Sequence, residues 1–272
     1  MPGPALHPYT HSHQVGGDGS VAFRCSQDTE RWPWLALPPF DPIVVQTINY
    51  WASVECGAAR GTFDPTKWSA LTEMDWTCGA EGVGHAARGS YEVTGDEGNS
   101  RFHLRFFDAD DAPVCQINGK GVAFRNRDFE GWRAKAKAEL AERLPVGDFA
   151  YAPHETTGMR AQWQSFLSPL TRGSTQARAL ITRENGFPPA HLYHSGSGDH
   201  VNANHLADVA RQFAQALRGG KPLAITGGAM TFKRYVELGR PFDIALAEDG
   251  LSEGNVTMNV TQAGIFCSAI TM

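Results

Sequence analysis

The stretch from residue 42 to residue 54 contains no charged side chain, and this limits the folds open to the chain more than any other feature. Asp41 is placed to cap a helix there, with Pro42 at the first helical position, where the missing N–H costs nothing. Apolar side chains occupy almost every direction around this helix, as is typical of a helix enclosed by protein, and the stretch is too short to cross a bilayer. The sequence therefore predicts a buried central helix.

Strand-like segments follow this helix and are separated by turn-forming clusters. Phe102, Leu104 and Phe106 alternate with His103 and Arg105, which is the pattern of a half-buried strand. The chain then repeats the plan with a second helix at residues 204–217, which predicts an α+β fold with an antiparallel sheet wrapped around a central helix in each half. The predicted strands are 71–78, 84–94, 100–108 and 114–125 in the first half, and 229–238, 241–247, 255–261 and 265–272 in the second.

This repeat predicts two domains joined by a linker. Residues 1–20 are rich in Gly, Pro and His without periodicity, so we expect a flexible N-terminal arm, followed by a first domain at residues 21–128. Residues 129–165 are expected to form a linker that begins with an exposed helix, because residues 129–144 are the most charged stretch of the chain. The second domain is expected at residues 166–272.

Composition and charge argue against several classes of function. The 272 residues carry a net charge of −5 and are 42% hydrophobic, which predicts a packed core and gives no basic surface for nucleic acid or an anionic membrane. No apolar run approaches the ~18 residues of a membrane span, and the N-terminus does not resemble a secretory signal. We therefore expect a cytoplasmic protein with neither a nucleic-acid nor a membrane partner.

No metal or cofactor site is predicted. The five cysteines are scattered and never spaced C-x-x-C, which is typical of buried thiols in a reducing compartment. His7, His11 and His13 are able to chelate a metal, but a solvated tail is the favoured interpretation. No glycine-rich segment has the setting of a dinucleotide site, a P-loop or an α/β-hydrolase nucleophile.

The second helix has a polar stripe that the first helix lacks. At 100° per residue, Asn204, Asp208 and Arg211 share one face, with Gln212 at its edge. An ordinary amphipathic helix with a solvated polar face is one interpretation. If a sheet encloses this helix as well, an Asp and an Arg one turn apart need a polar cavity or a partner.

Asp199 and His200 directly precede this helix and form a candidate acid–base pair. Backbone N–H groups at a helix N-terminus favour anions and oxyanions. A substrate carbonyl bound there would lie near His200 and Asp208, either of which can move protons. The sequence therefore places the function at the second helix.

This region resembles the A-factor synthase family, which makes precursors of γ-butyrolactone autoregulators. That family carries two hotdog domains and a second-half motif close to D-H-V-P-G-M-x-x-x-E-A-A-R-Q. Here an aspartate replaces the glutamate, and Asn202-Ala203-Asn204 replaces Pro-Gly-Met. The related AvrD proteins, which make syringolide-type acyl glycosides, share this general hotdog build. The residues that match in register are Asp199, His200, Val201, Asp208, Ala210, Arg211 and Gln212.

The first half resembles the family less closely. Residues 40–42 are F-D-P where the family has H-D-P, so the histidine is missing. The expected acidic and R-Q positions fall near Thr47, Tyr50 and Trp51, so this half has lost the polar residues. We therefore expect one functional cavity, in the second half.

The resemblance implies a tandem (double) hotdog fold and an enzyme that uses an acyl thioester carried by an acyl carrier protein or coenzyme A. The implied reaction is β-ketoacyl transfer to a hydroxylated acceptor, with β-hydroxyacyl dehydration or hydration and non-catalytic acyl binding as alternatives. His200 and Asp208 would be catalytic. Whether two chains associate through exposed sheet edges stays open. The expected substrate-binding residues are Asp199, Asn202, Asn204, Arg211 and Gln212.

Overall fold

A computed structural model describes residues 8–64, 67–95, 99–124, 128–160, 162–196, 198–252 and 254–272. The chain divides into two compact units. The first comprises Met1–Arg125 with Ile225–Ala229, and the second comprises Asn126–Ala224 with Met230–Met272. Among the described residues, no helix combines the length and the apolar character needed to cross a membrane.

The first unit combines one long helix with an antiparallel sheet. Its strands lie in the order β1-β2-β4-β5-β6-β3, and each neighbouring pair is antiparallel. The predicted strands are confirmed within a few residues, except that residue 125 lies outside the described residues. The elements are β1 (Thr10–Val15), β2 (Val21–Cys25), α1 (Pro42–Ala59), β3 (Ser69–Cys78), β4 (Arg88–Thr94), β5 (Arg101–Phe107) and β6 (Pro113–Ala123).

Helix α1 is the central helix predicted from the uncharged stretch. The Asp41 carboxylate accepts a hydrogen bond from the Ile43 N–H at 2.9 Å, which caps the helix as expected. Val45 and Ile48 are buried, and α1 contacts β1 and β4. Tyr50 is 47% exposed, so the helix is not enclosed on every side.

Residues 10–15 differ from the expected flexible arm, because they form strand β1 and pair with β2. Tyr9 and Thr10 are fully buried. Both of their backbone N–H groups donate to the Glu55 carboxylate, at 2.9 and 2.6 Å. Most side chains of β1 are exposed, so this edge strand has no apolar alternation to reveal it. His7 lies outside the described residues.

The second unit also contains a long helix and an antiparallel sheet, with strand order β11-β10-β9-β7, and β8 begins within the Ile225–Ala229 segment of the first unit and ends in the second. Strand β7 is absent from the sequence prediction because it has only four residues, while β8 ends earlier than predicted and β9 later. The elements are α2 (Phe129–Arg143), α3 (His154–Thr157), β7 (Gln176–Ala179), α4 (Arg183–Gly186), α5 (Ala203–Leu217), β8 (Gly227–Phe232), β9 (Phe242–Ser252), β10 (Asn255–Gln262) and β11 (Ile265–Thr271).

Helix α5 is the predicted second helix, and both of its faces are buried. Val209 and Phe213 on the apolar side are fully buried. On the polar side Asn204 is 6% exposed, and Asp208 and Gln212 are fully buried. The interpretation of a solvated polar face is therefore wrong, and these polar groups have protein partners instead.

Candidate functional site

The structure divides the predicted site residues between two polar clusters. Asp199 and His200 lie together before α5, whereas Asp208, Arg211 and Gln212 lie together on α5. No hydrogen bond or ion pair joins His200 to Asp208 among the described contacts. The two residues predicted to be catalytic therefore belong to different clusters, and each cluster has further members.

The loop before α5 is held by its asparagines and by one backbone bond. The amide nitrogens of Asn202 and Asn204 each lie 3.2 Å from the Ser195 carbonyl oxygen. The Val201 N–H donates to the Val236 carbonyl at 2.9 Å. A Cβ on Gly196 would lie 1.7 Å from the Asn202 amide nitrogen, so the loop needs glycine there. These contacts fix the position of residues 199 and 200.

Asp199 is surrounded by cations from helix α2. Arg133 donates to Asp199 Oδ2 from Nη2 and Nε, at 2.8 and 3.2 Å, and Lys137 Nζ contacts Oδ1. The hydrogen bond from His200 and the contacts with Lys137 and Arg133 hold the pKa of Asp199 below its ordinary value, against the opposing effect of partial burial. Asp199 is therefore ionised at neutral pH.

Arg133 connects this cluster to a second carboxylate. Its Nη2 donates to Glu237 Oε2 at 2.7 Å and its Nη1 donates to Glu237 Oε1, which is a bidentate ion pair. The guanidinium also lies over the Tyr235 ring, 4.2 Å from its centroid. Arg133 is 4% exposed, so α2 is not the wholly exposed linker helix that its charge predicts.

His200 is a partly exposed member of this cluster, less exposed than Lys137. Its side chain is 24% exposed, and its Nδ1 lies 3.3 Å from Asp199 Oδ2. The ring packs edge-on against Tyr235, at a centroid distance of 4.6 Å. Arg133 and Lys137 balance the charges of Asp199 and Glu237 in number. We call these six residues the His200 cluster.

Asp208 lies in a separate, fully buried network on α5. Its Oδ1 accepts from Arg211 Nε at 3.1 Å and from Arg211 Nη2. Its Oδ2 lies 3.0 Å from Gln212 Nε2 and 3.3 Å from His194 Nε2. Burial alone would raise the pKa of Asp208, but the charge of Arg211 and the hydrogen bond with His194 hold that pKa below its ordinary value.

Arg211 and Gln212 extend this network to the segment before β7. Gln212 Oε1 accepts from the Phe166 N–H at 3.0 Å and from the Ser165 hydroxyl at 3.1 Å. Arg211 Nη2 lies 3.4 Å from Met159 Sδ. Both ends of the Gln212 amide are bonded within the protein, so its contacts position α5 rather than face a ligand.

Three buried histidines beside Asp208 have no counterpart in the sequence prediction. The rings of His191 and His194 lie 4.1 Å apart by centroid, and those of His194 and His205 lie 4.3 Å apart. His191, His194 and Asp208 each offer a ligand atom within 4.8 Å of the others, so the three residues could hold a metal ion. The sequence signals were an H-x-x-H spacing at residues 191–194 and the one-turn spacing of His205 and Asp208.

Arg133 and Lys137 are also absent from the sequence prediction, although a local signal existed. They are four residues apart on α2 and therefore share one face of that helix. Phe129 lies four residues earlier on the same face and is buried. A buried aromatic residue in line with two cations indicates that this face packs against protein.

Comparison with known proteins identifies the fold. No family model matches the sequence, and no curated protein matches it. Among solved structures, the 12:0-ACP thioesterase from Umbellularia californica is 12% identical with a TM-score of 0.53, covering 98% of this chain and 97% of that chain. The dehydratase domain of the polyketide PpsC from Mycobacterium tuberculosis is 15% identical with a TM-score of 0.53, covering 98% of each chain.

An acyl-ACP thioesterase from Bacteroides thetaiotaomicron is 10% identical with a TM-score of 0.52, covering 93% of this chain and 96% of that chain. At such identities the likeness concerns the fold alone. None of these structures is an A-factor synthase, so that resemblance stays a prediction. The chain has the hotdog fold that these thioesterases and the dehydratase domain share.

Proposed function

We propose that this protein is an acyl-thioester enzyme in which His200 transfers the proton, and that its reaction is the dehydration of a β-hydroxyacyl thioester or the reverse hydration. The observation that carries the proposal is the partly exposed His200 ring, paired through Nδ1 with the Asp199 carboxylate that Arg133 and Lys137 hold in place. The fold supports the substrate class, because solved proteins that share it are described as acyl-ACP thioesterases and a polyketide dehydratase domain.

Asp199 determines which ring nitrogen of His200 is basic. An ionised carboxylate accepts a hydrogen bond and cannot donate one, so Nδ1 of His200 carries the proton and Nε2 carries the lone pair. Arg133 and Lys137 fix the carboxylate in turn. His200 Nε2 is therefore the general base of the proposed site.

The proposed reaction uses this one histidine twice. Nε2 removes a proton from the carbon next to the thioester carbonyl, and the C–O bond of the β-hydroxyl breaks as the double bond forms. The imidazolium then returns the proton to the departing hydroxyl, which leaves as water. The first N–H groups of a helix have no intrahelical acceptor, so those of Ala203 and Asn204 are assigned to the thioester oxygen.

The other predicted residues receive positioning roles. Asn202 and Asn204 hold the loop that carries His200, through the Ser195 carbonyl. Asp208, which the sequence assigns to catalysis, is fully buried and anchors α5 together with Arg211 and Gln212. We further propose that each unit is one hotdog domain, with α1 and α5 as the two central helices, and that an acyl carrier protein or coenzyme A carries the acyl chain.

A substrate panel tests the reaction. The purified chain is incubated with β-hydroxyacyl, β-ketoacyl and saturated acyl thioesters of both carriers, with and without a polyol phosphate, and the products are followed by mass spectrometry. We expect loss of water from the β-hydroxyacyl thioester. Release of free thiol would indicate a thioesterase, an ester of the polyol phosphate would indicate the transfer expected from the resemblance, and bound acyl ligand without turnover would indicate a binding protein.

The role of His200 is tested with His200→Ala and a matched control. General acid–base catalysis contributes about 10²–10⁴-fold, so we expect kcat/KM to fall by that factor. His103 in the first unit is the control, because it contacts only Thr94 and Asn118 among the described side chains. His103→Ala should retain wild-type turnover. A folded His200→Ala variant with wild-type turnover would show that the assignment is wrong.

A further inference from the structure

Several buried imidazole nitrogens near Asp208 have no hydrogen-bond partner. His191 is 1% exposed, and neither of its ring nitrogens is bonded within the described protein. The Nδ1 atoms of His194 and His205 are likewise unpartnered. A neutral imidazole has one donor and one acceptor, and leaving either buried and unpaired destabilises the fold. Such a concentration of unmet groups indicates an additional binding partner.

The distances among these groups suit a metal ion. His194 Nε2 and Asp208 Oδ2 lie 3.3 Å apart, and ligand atoms about 2.0–2.1 Å from a tetrahedral zinc ion are separated by about 3.3 Å. A ligand atom of His191 lies within 4.8 Å of both, so a modest ring movement completes a three-ligand set. Arg211 occupies the other carboxylate oxygen, and Oδ2, which also accepts from Gln212 Nε2 at 3.0 Å, lies on the side of His194.

We propose that His191, His194 and Asp208 bind one divalent transition-metal ion of the zinc class. Two imidazoles with a single carboxylate favour zinc, cobalt or nickel over magnesium or calcium, which prefer sites made of oxygen ligands. The fourth position is left to water. The site goes beyond the proposed function, because none of its three ligands belongs to the His200 cluster.

The surroundings support a preformed site. The rings of His191 and His194 pack against each other with their centroids 4.1 Å apart, which holds both beside Asp208. His205 stacks on His194 and its Nε2 lies 2.7 Å from the Gly186 carbonyl oxygen, which fixes that ring in place. The ion would join residues 191–194 to α5, which predicts a stabilising role.

Metal titration of the intact chain tests this proposal. Protein stripped with a chelator is titrated with Zn²⁺ by calorimetry, and with Co²⁺ while the visible absorption of the bound ion is followed. We expect one saturable equivalent, a tetrahedral cobalt spectrum and a Tm that rises with Zn²⁺ concentration. The absence of saturable binding by the folded wild-type chain would overturn the proposal.

Two variants locate the ion. His191→Gln removes a ring without hydrogen bonds, so the chain should remain folded while its affinity for Zn²⁺ falls by more than the 10–100-fold typical of outer residues around a metal. The control is the triple variant His7→Gln, His11→Gln, His13→Gln, which removes the three histidines of the N-terminal segment and should leave the affinity unchanged. Loss of binding in the control with retention in His191→Gln would overturn the assignment.

Discussion

The two long helices occupy matching places in the chain plan but differ in what they bury. Helix α1 buries neutral polar groups, of which Thr47 donates its hydroxyl to the Ile43 carbonyl at 2.6 Å within the helix. Helix α5 buries the carboxylate of Asp208 and pairs it with Arg211 and His194. A buried charge is stable only with partners, so α5 depends on a specific network where α1 depends on apolar packing.

The N-termini of the two helices also differ, because the side chain of the N-cap residue bonds a first N–H group in α1 but none in α5. The first N–H groups of α1 are closed by the Asp41 carboxylate and by Pro42. The side chain of Asn202 makes no cap hydrogen bond to α5, although the Asn204 carboxamide oxygen accepts from the His205 N–H at 2.8 Å. The residue before α1 therefore caps its helix with its side chain, whereas the residue before α5 does not, which leaves the N–H groups of Ala203 and Asn204 for the acceptor proposed above.

The largest expected difference is in the stability of variants at corresponding helix positions. Asp208→Ala leaves Arg211 and His194 without their shared partner, and we expect a loss of about 3–5 kcal/mol in the free energy of unfolding. Thr47→Ala removes one hydroxyl hydrogen bond and should cost about 1 kcal/mol. Urea unfolding with a chelator present measures both without a contribution from metal. Equal losses would show that the Asp208 network is no more important than the α1 hydroxyl.

The next prediction concerns Asp199, just before α5, and how the free energy of unfolding changes in acid. The folded pKa of Asp199 is lowered, so the unfolded chain binds this proton first and stability falls as pH falls. The contribution of Asp199 to the free energy of unfolding is therefore complete above about pH 4, and it is lost as the pH falls through the folded pKa of Asp199. We expect Asp199→Asn to cost about 1.5–3 kcal/mol at neutral pH and to flatten the acid part of the stability profile.

Exposed Asp110 provides the control for this profile. Asp110→Asn removes a carboxylate from a loop in the first unit and should leave the slope below pH 4 as in the wild type. Unfolding monitored at several pH values separates the two variants. If Asp199→Asn retained the full acid slope, the ion pairs with Arg133 and Lys137 would not be the cause of the shifted titration.

The elements that the sequence predicted well are those with a local pattern. The uncharged stretch predicted α1. The stripe of Leu206, Val209 and Phe213 predicted α5, and the predicted start of α5 is within one residue of the observed start. Strands β1, β2 and β7 were not predicted. Strand β1 is a largely exposed edge strand, and β2 and β7 have only five and four residues, so each is too short or too exposed for its alternation of buried and exposed residues to be recognised from sequence.

The candidate site was predicted in part, because its partners are distant in sequence. Asp199 and His200 were identified at the helix start, but Arg133 lies 66 residues before Asp199 and was assigned to a linker. The shared catalytic role of His200 and Asp208 stays a prediction, and the structure places the two residues in different clusters. Asp199 and His200 face α2 and Tyr235, whereas Asp208 on α5 faces His194. The partners of these three residues depend on tertiary contacts, which sequence periodicity does not report.

The smallest predicted difference is in the free energy of unfolding of variants at the N-cap positions of α1 and α5. Asp41→Ala removes the hydrogen bond to the Ile43 N–H and should cost about 1 kcal/mol without changing turnover. Asn202→Ala removes no cap bond, and Asn204 still contacts the Ser195 carbonyl, so we expect a cost of about 0.5 kcal/mol. Because Asn202 holds the loop that carries His200, this variant should nevertheless lower kcat/KM several-fold. Urea unfolding and steady-state kinetics on both variants test the contrast, and it fails if Asp41→Ala is the variant that loses turnover.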